Sequence, residues 1–239
     1  NDQGGLRVLS ISDPAMPREV GFYDTPGYTT QIAVSGSYAY LVDSFSGFRV
    51  VNITNPMRPV EIGFYAADLY GHGLVISGKY AYVADFYLGL LIFDLSDPAQ
   101  PPQVGVYKPP NFTAGVALAG NVAFLLDTNT ILRAVDISDP TAPVAFGSLP
   151  EDFISVEDIT ISGDLAYVVD NFDGLLVYVI SDAAHPRKIG GYKLPDHTLS
   201  VAVAGEYAYL GGEGGTLHVL DISGPSHPSL AGLYAMPGK

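Results

Sequence analysis

Apolar and polar positions along this chain fall into short runs, and no segment carries a sustained 3.6-residue period free of Pro or Gly. Short runs bounded by turn residues predict strands and essentially no helix. One stretch shows the unit. Residues 73–77 form an apolar run that ends at Gly78-Lys79, a tight-turn signal, and residues 80–84, rich in aromatic and β-favouring side chains, follow and stop at Asp85. The loop 86–89 leads to the apolar run 90–95. The Asp97-Pro98 turn and Pro101-Pro102 separate that run from residues 103–107. The result is four short strands, A to D, joined by hairpin-sized loops.

The first two strands of each unit are apolar on both faces: Ile32-Ala33-Val34, Val116-Ala117-Leu118 and Val201-Ala202-Val203 for strand A, Tyr38-Ala39-Tyr40-Leu41-Val42 and Leu165-Ala166-Tyr167-Val168-Val169 for strand B. A strand with one wet face alternates with polar residues, so these are expected to be covered on both sides. The unit recurs. Its plainest mark is a turn, Ser12-Asp13-Pro14, Thr54-Asn55-Pro56, Ser96-Asp97-Pro98 and Ser138-Asp139-Pro140, with degraded copies at Ser181-Asp182-Ala183 and Ser223-Gly224-Pro225. The third positions, 14, 56, 98, 140, 183 and 225, are spaced by 42, 42, 42, 43 and 42. A fixed period of that length means one supersecondary unit stacked on copies of itself. Four-stranded antiparallel sheets packed face to face around an axis, strand A innermost, satisfy both observations. The expected fold is all-β, a β-propeller.

The segments 6–14 (Leu-Arg-Val-Leu-Ser-Ile-Ser-Asp-Pro), 48–56 (Phe-Arg-Val-Val-Asn-Ile-Thr-Asn-Pro) and 217–223 (Leu-His-Val-Leu-Asp-Ile-Ser) resemble the LVIVD repeat. The partner phrases at 20–28 and 33–43 are similar to the rest of that repeat, and the resemblance spans nearly the whole chain. It implies a bacterial or archaeal surface or secreted β-propeller. It brings no catalytic residues, because the family is defined by its structural repeat.

Strands A and B are read five times, ending at Asp43, Asp85, Asp127, Asp170 and around Glu213, whereas C and D are read six times. The expectation is therefore a half blade of strands C and D over 1–23, full blades over 28–65, 70–107, 112–149, 154–192 and 197–234, and a truncated connection at 235–239. Residues 1–5 read as the tail of a B–C loop, and 233–238 (Leu-Tyr-Ala-Met-Pro-Gly) echo 22–27 (Phe-Tyr-Asp-Thr-Pro-Gly). Two explanations stand. A longer chain supplies the remaining strands and closes a six-bladed ring, or another molecule adds strands to the open edge. The first is favoured, since propellers usually hide their edges by closure within one chain.

Composition narrows the partners. Lys+Arg 11 against Asp+Glu 25 leaves a net charge of −14, which disfavours nucleic acid and anionic membrane. With no cysteine, disulfides, thiolate metal sites and Cys nucleophiles are excluded. No apolar run approaches a membrane span. An acidic chain rich in Tyr, Gly and Pro leans towards an extracellular or cell-surface location.

Function is expected on the side of the D–A and B–C loops, because the A–B turns (Ser35-Gly36, Ser77-Gly78) and the Asp-Pro turns are monotonous local geometry. The D–A loops carry rings at Tyr28, Tyr70, Phe112 and His197, with Phe153 nearby in the fourth, and the B–C loops add Phe45, Phe86, Tyr87 and Phe172. Such a collar would stack a sugar or planar ligand, or simply pack between blades. The head of strand A diverges most: Thr30, His72, Ala114, Glu157 and Leu199, followed by Gln31, Gly73, Gly115, Asp158 and Ser200. The candidate ligand-binding set is Tyr28, Thr30, Gln31, Tyr70, His72, Phe112 and His197. In the fourth unit Glu151, Asp152, Glu157, Asp158, Asp170 and Asp173 share the loop side without Lys or Arg. Of these, Glu157, Asp158, Asp170 and Asp173 make a candidate Ca²⁺ site, against the alternative of a solvated acidic rim. No HExxH, Gly-rich phosphate loop or supported Ser–His–Asp set is present; Ser200, His72 and Asp158 share only a location. The expected function is a non-catalytic structural or protein-interaction module. The alternatives are a carbohydrate- or Ca²⁺-dependent ligand-binding module and, third, a hydrolase-like enzyme at the channel mouth. Partners are a protein or a surface glycan, within a larger chain or assembly.

Overall fold

A computed structural model of the chain describes residues 5–128, 130–149 and 155–235. Expectations that fall on residues 1–4, on Glu151, Asp152 and Phe153, and on Met236, Pro237 and Gly238 lie outside the described residues. Strands β1 (Leu6–Ser10) and β2 (Arg18–Tyr23) pair as a two-stranded sheet. Five four-stranded antiparallel meanders follow. Blade I holds β3 (Tyr28–Ser35), β4 (Tyr38–Ser44), β5 (Gly47–Asn52) and β6 (Val60–Tyr65), and blade II holds β7 (Gly71–Ser77), β8 (Tyr80–Asp85), β9 (Gly89–Asp94) and β10 (Gln103–Tyr107). Blade III holds β11 (Thr113–Ala119), β12 (Val122–Asp127), β13 (Thr130–Asp136) and β14 (Val144–Leu149). Blade IV holds β15 (Val156–Ser162), β16 (Leu165–Asp170), β17 (Gly174–Val179) and β18 (Arg187–Tyr192). Blade V holds β19 (Thr198–Ala204), β20 (Tyr207–Gly212), β21 (Thr216–Asp221) and β22 (Ser229–Ala235). No described residue is helical. The expected fold class, all-β blades of strands A to D preceded by a C–D pair, is what the structure shows.

By its contacts the chain divides into two compact units, Asn1–Lys108 and Pro109–Lys239. In the first, the strand pair packs on blade I through Leu6, Ala39, Leu41 and Val51. Blade I packs on blade II through Tyr40, Val42, Phe48 and Val50 against Ala81, Val83, Leu91 and Phe93. The Phe48 and Phe93 rings stack with centroids 4.7 Å apart. In the second unit Phe124, Leu126, Leu132 and Ala134 of blade III meet Ala166, Val168, Leu176 and Tyr178 of blade IV. Tyr167, Val169, Leu175 and Val177 then meet Ala208, Leu210 and Leu220 of blade V. Strands β4, β8, β12 and β16 are buried almost end to end, as their two-sided apolar character requires. Each such Leu, Val or Phe contributes about 1.5–3 kcal/mol relative to leaving it in water.

The most repeated phrases of the chain fit one another in space. The Asp-Pro segments are Asx turns: the Asp13, Asn55, Asp97 and Asp182 side chains accept from the amides of Ala15, Met57, Ala99 and Ala184 at 3.0–3.1 Å. The turns at Asn55, Asp97 and Asp182, and the degraded turn at Gly224-Pro225, then lie on a glycine of strand D in the preceding sheet. A Cβ on Gly21 or Gly63 would strike the backbone at Pro56 or at Pro98 and Ala99; on Gly147 or Gly190 it would strike the backbone at Ala183 and Ala184 or at Pro225 and Ser226. The turns are therefore blade-to-blade contacts as well as local geometry. Gly232, the same register position of β22, would meet nothing nearer than the Val219 Cβ at 3.9 Å.

Gly63→Ala is expected to destabilise the protein by about 1–3 kcal/mol through overpacking against that turn, and Gly232→Ala to change stability little. Denaturant midpoints of the two variants check this; equal midpoints would show that the glycine contact carries no strain.

Candidate functional site

The loop side of each blade is shaped by two local features. The first is a β-bulge near the head of strand A. The A–B register slips between Thr29 and Gln31, Gly71 and Gly73, Thr113 and Gly115, Val156 and Asp158, and Thr198 and Ser200. The register skips Thr30, His72, Ala114, Glu157 and Leu199, the positions at which the repeats diverge most. A bulge re-aims its side chain out of the pleat, which is how a constant strand displays a variable residue.

The second feature is a buried carboxylate at the end of strand B. Asp43 is 0% exposed, and Asp85, Asp127 and Asp170 are each 1% exposed. A buried carboxylate must be hydrogen-bonded or paired, and the blades do this in two ways. Where strand C carries Leu91 or Leu176, the B–C loop folds back. Asp85 Oδ1 accepts from the amides of Tyr87 (2.9 Å) and Leu88 (2.8 Å), and Asp170 Oδ1 from those of Phe172 (2.8 Å) and Asp173 (2.9 Å). Where that place holds Arg, the guanidinium takes over: Arg49 Nε donates to Asp43 at 2.9 Å, and Arg133 Nε to Asp127 at 2.5 Å. Blade V relocates the charge. Gly212 stands at the end of strand B, and Asp196 of the D–A loop fills the space beside it, bonded to the Thr216 hydroxyl and to His218 Nε2 at 2.8 Å. Burial works to raise the Asp196 carboxyl, yet Thr216 and His218 outweigh it and leave it below its ordinary value.

In blade I the guanidinium solution has consequences. Arg49 also donates to Glu61 Oε2 at 2.7 Å and to the Ser46 carbonyl at 3.2 Å, and Tyr23 donates its hydroxyl to Glu61 at 2.8 Å. Burial and the Glu61 bond push the Tyr23 phenol up to about 12. Released from Asp43 Oδ1, the loop takes another turn: Ser46 N donates to the Asp43 carbonyl at 2.9 Å, and Phe45 adopts φ +65°. Phe45 is the one non-glycine with positive φ among the described residues. That conformation costs an L-residue about 1–3 kcal/mol and persists only where its surroundings hold it.

Between blades I and II, inside the first unit, this loop walls a cavity of ≈ 560 Å³. Five of the seven expected ligand residues line it, Tyr28, Thr30, Gln31, Tyr70 and His72, joined by Ser44 and Phe45. Tyr70 leads a ring cluster: His72 lies at 5.3 Å, Tyr87 at 5.8 Å and Phe86 at 6.1 Å. The Tyr70 amide donates to Asp85 Oδ2 at 2.5 Å, so the blade II carboxylate also positions this ring. Ser44, 3% exposed, has a hydroxyl with no hydrogen-bond partner. The remaining two expected residues, Phe112 and His197, belong to the second unit. Both are exposed there, and His197 sits 3.3 Å from Glu213 and edge-on to Phe172.

The four carboxylates expected to hold Ca²⁺ do not converge. Glu157 accepts from Asn171 (2.5 Å) and Ser155 (3.2 Å). Asp158 accepts from its neighbour Ile159 N (2.8 Å) and, across to blade V, from Val201 N (2.9 Å). Burial raises the Asp158 carboxyl above its ordinary value, the two amides opposing. Asp170 closes its own loop, and Asp173 faces Lys193 at 3.9 Å. Among the described residues no group of three or more His, Asp or Glu has metal-holding geometry. Each of these four carboxylates has its own separate partners.

The family described as LVIVD repeat matches the chain over residues 1–25, 26–67, 70–108, 112–149, 155–193 and 196–236. No curated protein matches. Among solved structures, the computationally designed Ika8 protein is similar at TM-score 0.68 and 12% identity, over 93% of this chain and 67% of that one. A functionally unknown protein from Desulfotomaculum acetoxidans DSM 771 is similar at TM-score 0.75 and 14% identity, over 91% and 73%. At those identities the likeness concerns the fold alone.

Asp127 generates a pH prediction. Burial pushes its carboxyl up to about 6, against the pull of Arg133 and Thr113. The unfolded chain releases that proton near about 3.9, so between these values the folded state binds more protons and this site loses stability as pH rises from about 4 to about 6. Asp127→Asn is expected to flatten that part of the melting temperature–pH curve. Parallel curves for the variant and the parent would refute the assignment.

Proposed function

Since the chain belongs to the LVIVD-repeat family of β-propellers, we propose that it is a non-catalytic binding module of the cell surface or extracellular space. It holds a protein or glycan partner on the loop side where its repeats diverge. The observation that carries this reading is the blade I–II cavity: the bulged residues Thr30 and His72 and the loop rings Tyr28, Phe45 and Tyr70 meet there. On the opposite side the Asx-Pro turns are committed to the neighbouring sheet's glycines. Support for the non-catalytic reading comes from Asp158. Both its oxygens accept backbone amides, so it is engaged in joining blades rather than in orienting a histidine. The net charge of −14 speaks against nucleic acid, and no described helix is long and apolar enough to cross a membrane.

Fractionating cells that produce the full gene product is expected to place it in the medium or at the surface, and the purified protein is expected to turn over none of a panel of glycosidase, esterase and peptidase substrates. Recovery from the cytosol alone would overturn the location. Turnover abolished by His72→Ala would overturn the non-catalytic reading.

A further inference from the structure

We infer that the blade I–II cavity is a saccharide site whose occupant is a neutral oligosaccharide, presenting a pyranose ring to Phe45 and its hydroxyls to Ser44, Thr30 and Gln31; this rests on the binding-module reading above. The chemistry of the wall selects that class. Among the described residues no Lys, Arg, Asp or Glu lines the cavity. Asp43, the nearest buried charge in the same loop, is fully covered and taken by Arg49 and by the Gly27 amide at 2.9 Å. A phosphate or carboxylate ligand would find no Lys or Arg here, and a metal would find no anionic oxygen. What the wall offers is aromatic surface together with hydroxyl and amide groups, which both donate and accept hydrogen bonds. A pyranose has the same pairing, a C–H face for an aromatic ring and equatorial hydroxyls for such groups. The volume of ≈ 560 Å³ falls within the roughly 300–1,000 Å³ of small-ligand sites.

Two further observations point to a ligand. Phe45 is 64% exposed and strained at φ +65°, so the fold holds an apolar ring out to solvent in a conformation its own packing does not reward. The Ser44 hydroxyl beside it is buried without a protein partner, the condition of a group that a ligand hydroxyl satisfies. Phe45 has ring counterparts two residues past the buried Asp in blades II and IV, Tyr87 and Phe172. Among the described residues at this place, Phe45 with the arginine solution has positive φ, whereas Tyr87 and Phe172, where loop amides hold the Asp, do not.

The test is a printed array of neutral and anionic glycans, followed by calorimetric titration of a retained trisaccharide into the parent and three variants. Phe45→Gly removes the ring and keeps the left-handed backbone accessible. Ser44→Ala removes the hydroxyl at the smallest change in volume. Phe172→Ala removes the counterpart ring in the other unit. The expected result is saturable binding of a neutral glycan, weakened about tenfold or more by Phe45→Gly and several-fold by Ser44→Ala, and unchanged in Phe172→Ala. Melting curves confirm that each variant is folded, and if Phe45→Gly is not, Ser44→Ala decides. Retention of no neutral glycan, preference for anionic glycans or a peptide, or affinity indifferent to both blade I variants would overturn the saccharide class while leaving the binding-module reading to the localisation experiment. Hydrolysis of the bound glycan would overturn the non-catalytic reading and uphold the saccharide class.

Discussion

A carboxylate buried at the end of strand B sets the terms for the loop side of blades I to IV. Taking it out of water is unfavourable unless its oxygens are bonded, so whatever satisfies it also dictates the backbone around it. With Leu91 or Leu176 opposite, loop amides fold onto Asp85 or Asp170. With Arg49 opposite, the loop is freed and turns Phe45 outward. In blade V the carboxylate moves to Asp196, beside a strand B that ends in glycine. One constraint with three solutions gives otherwise identical blades different loop surfaces.

The remainder of the repeat holds these surfaces in place. Strand-D glycines admit the next sheet's Asx-Pro turn, and two-sided apolar strands fill the space between sheets. The strand-A bulges then present one variable residue per blade, outside the ladder. Change at positions 30, 72, 114, 157 or 199 therefore leaves the sheet hydrogen bonds intact. This is the physical basis on which a module with so uniform a scaffold can carry a particular site.

The fold was legible in the sequence because its signals are local and repeated: strand length, two-sided apolarity and turn chemistry recur with one period. The cavity was legible in part. Tyr28, Thr30, Gln31, Tyr70 and His72 were found by comparing units, since variation against a constant frame marks what the frame does not need. Ser44 was missed because nothing local marks a serine as buried and unbonded. The role of Asp43, Asp85, Asp127 and Asp170 was missed too, although Arg49, Arg133 and His218 each stand six residues beyond the end of strand B and carry the signal of its partner. The separate partners of Glu157, Asp158, Asp170 and Asp173 are not legible for a related reason. Asp158 bonds Val201 N, forty-three residues away, and a contact between blades leaves no trace in the run of charges around it.

The partner of the strand-B carboxylate decides the loop, and the crystal structure of Arg49→Leu puts that dependence to the test. With leucine there, as in blades II and IV, Asp43 Oδ1 is expected to take the amides of Phe45 and Ser46, Phe45 to leave the positive-φ region, and the cavity to lose this wall. Phe45 still near φ +65°, with Asp43 Oδ1 taking neither loop amide, would refute this.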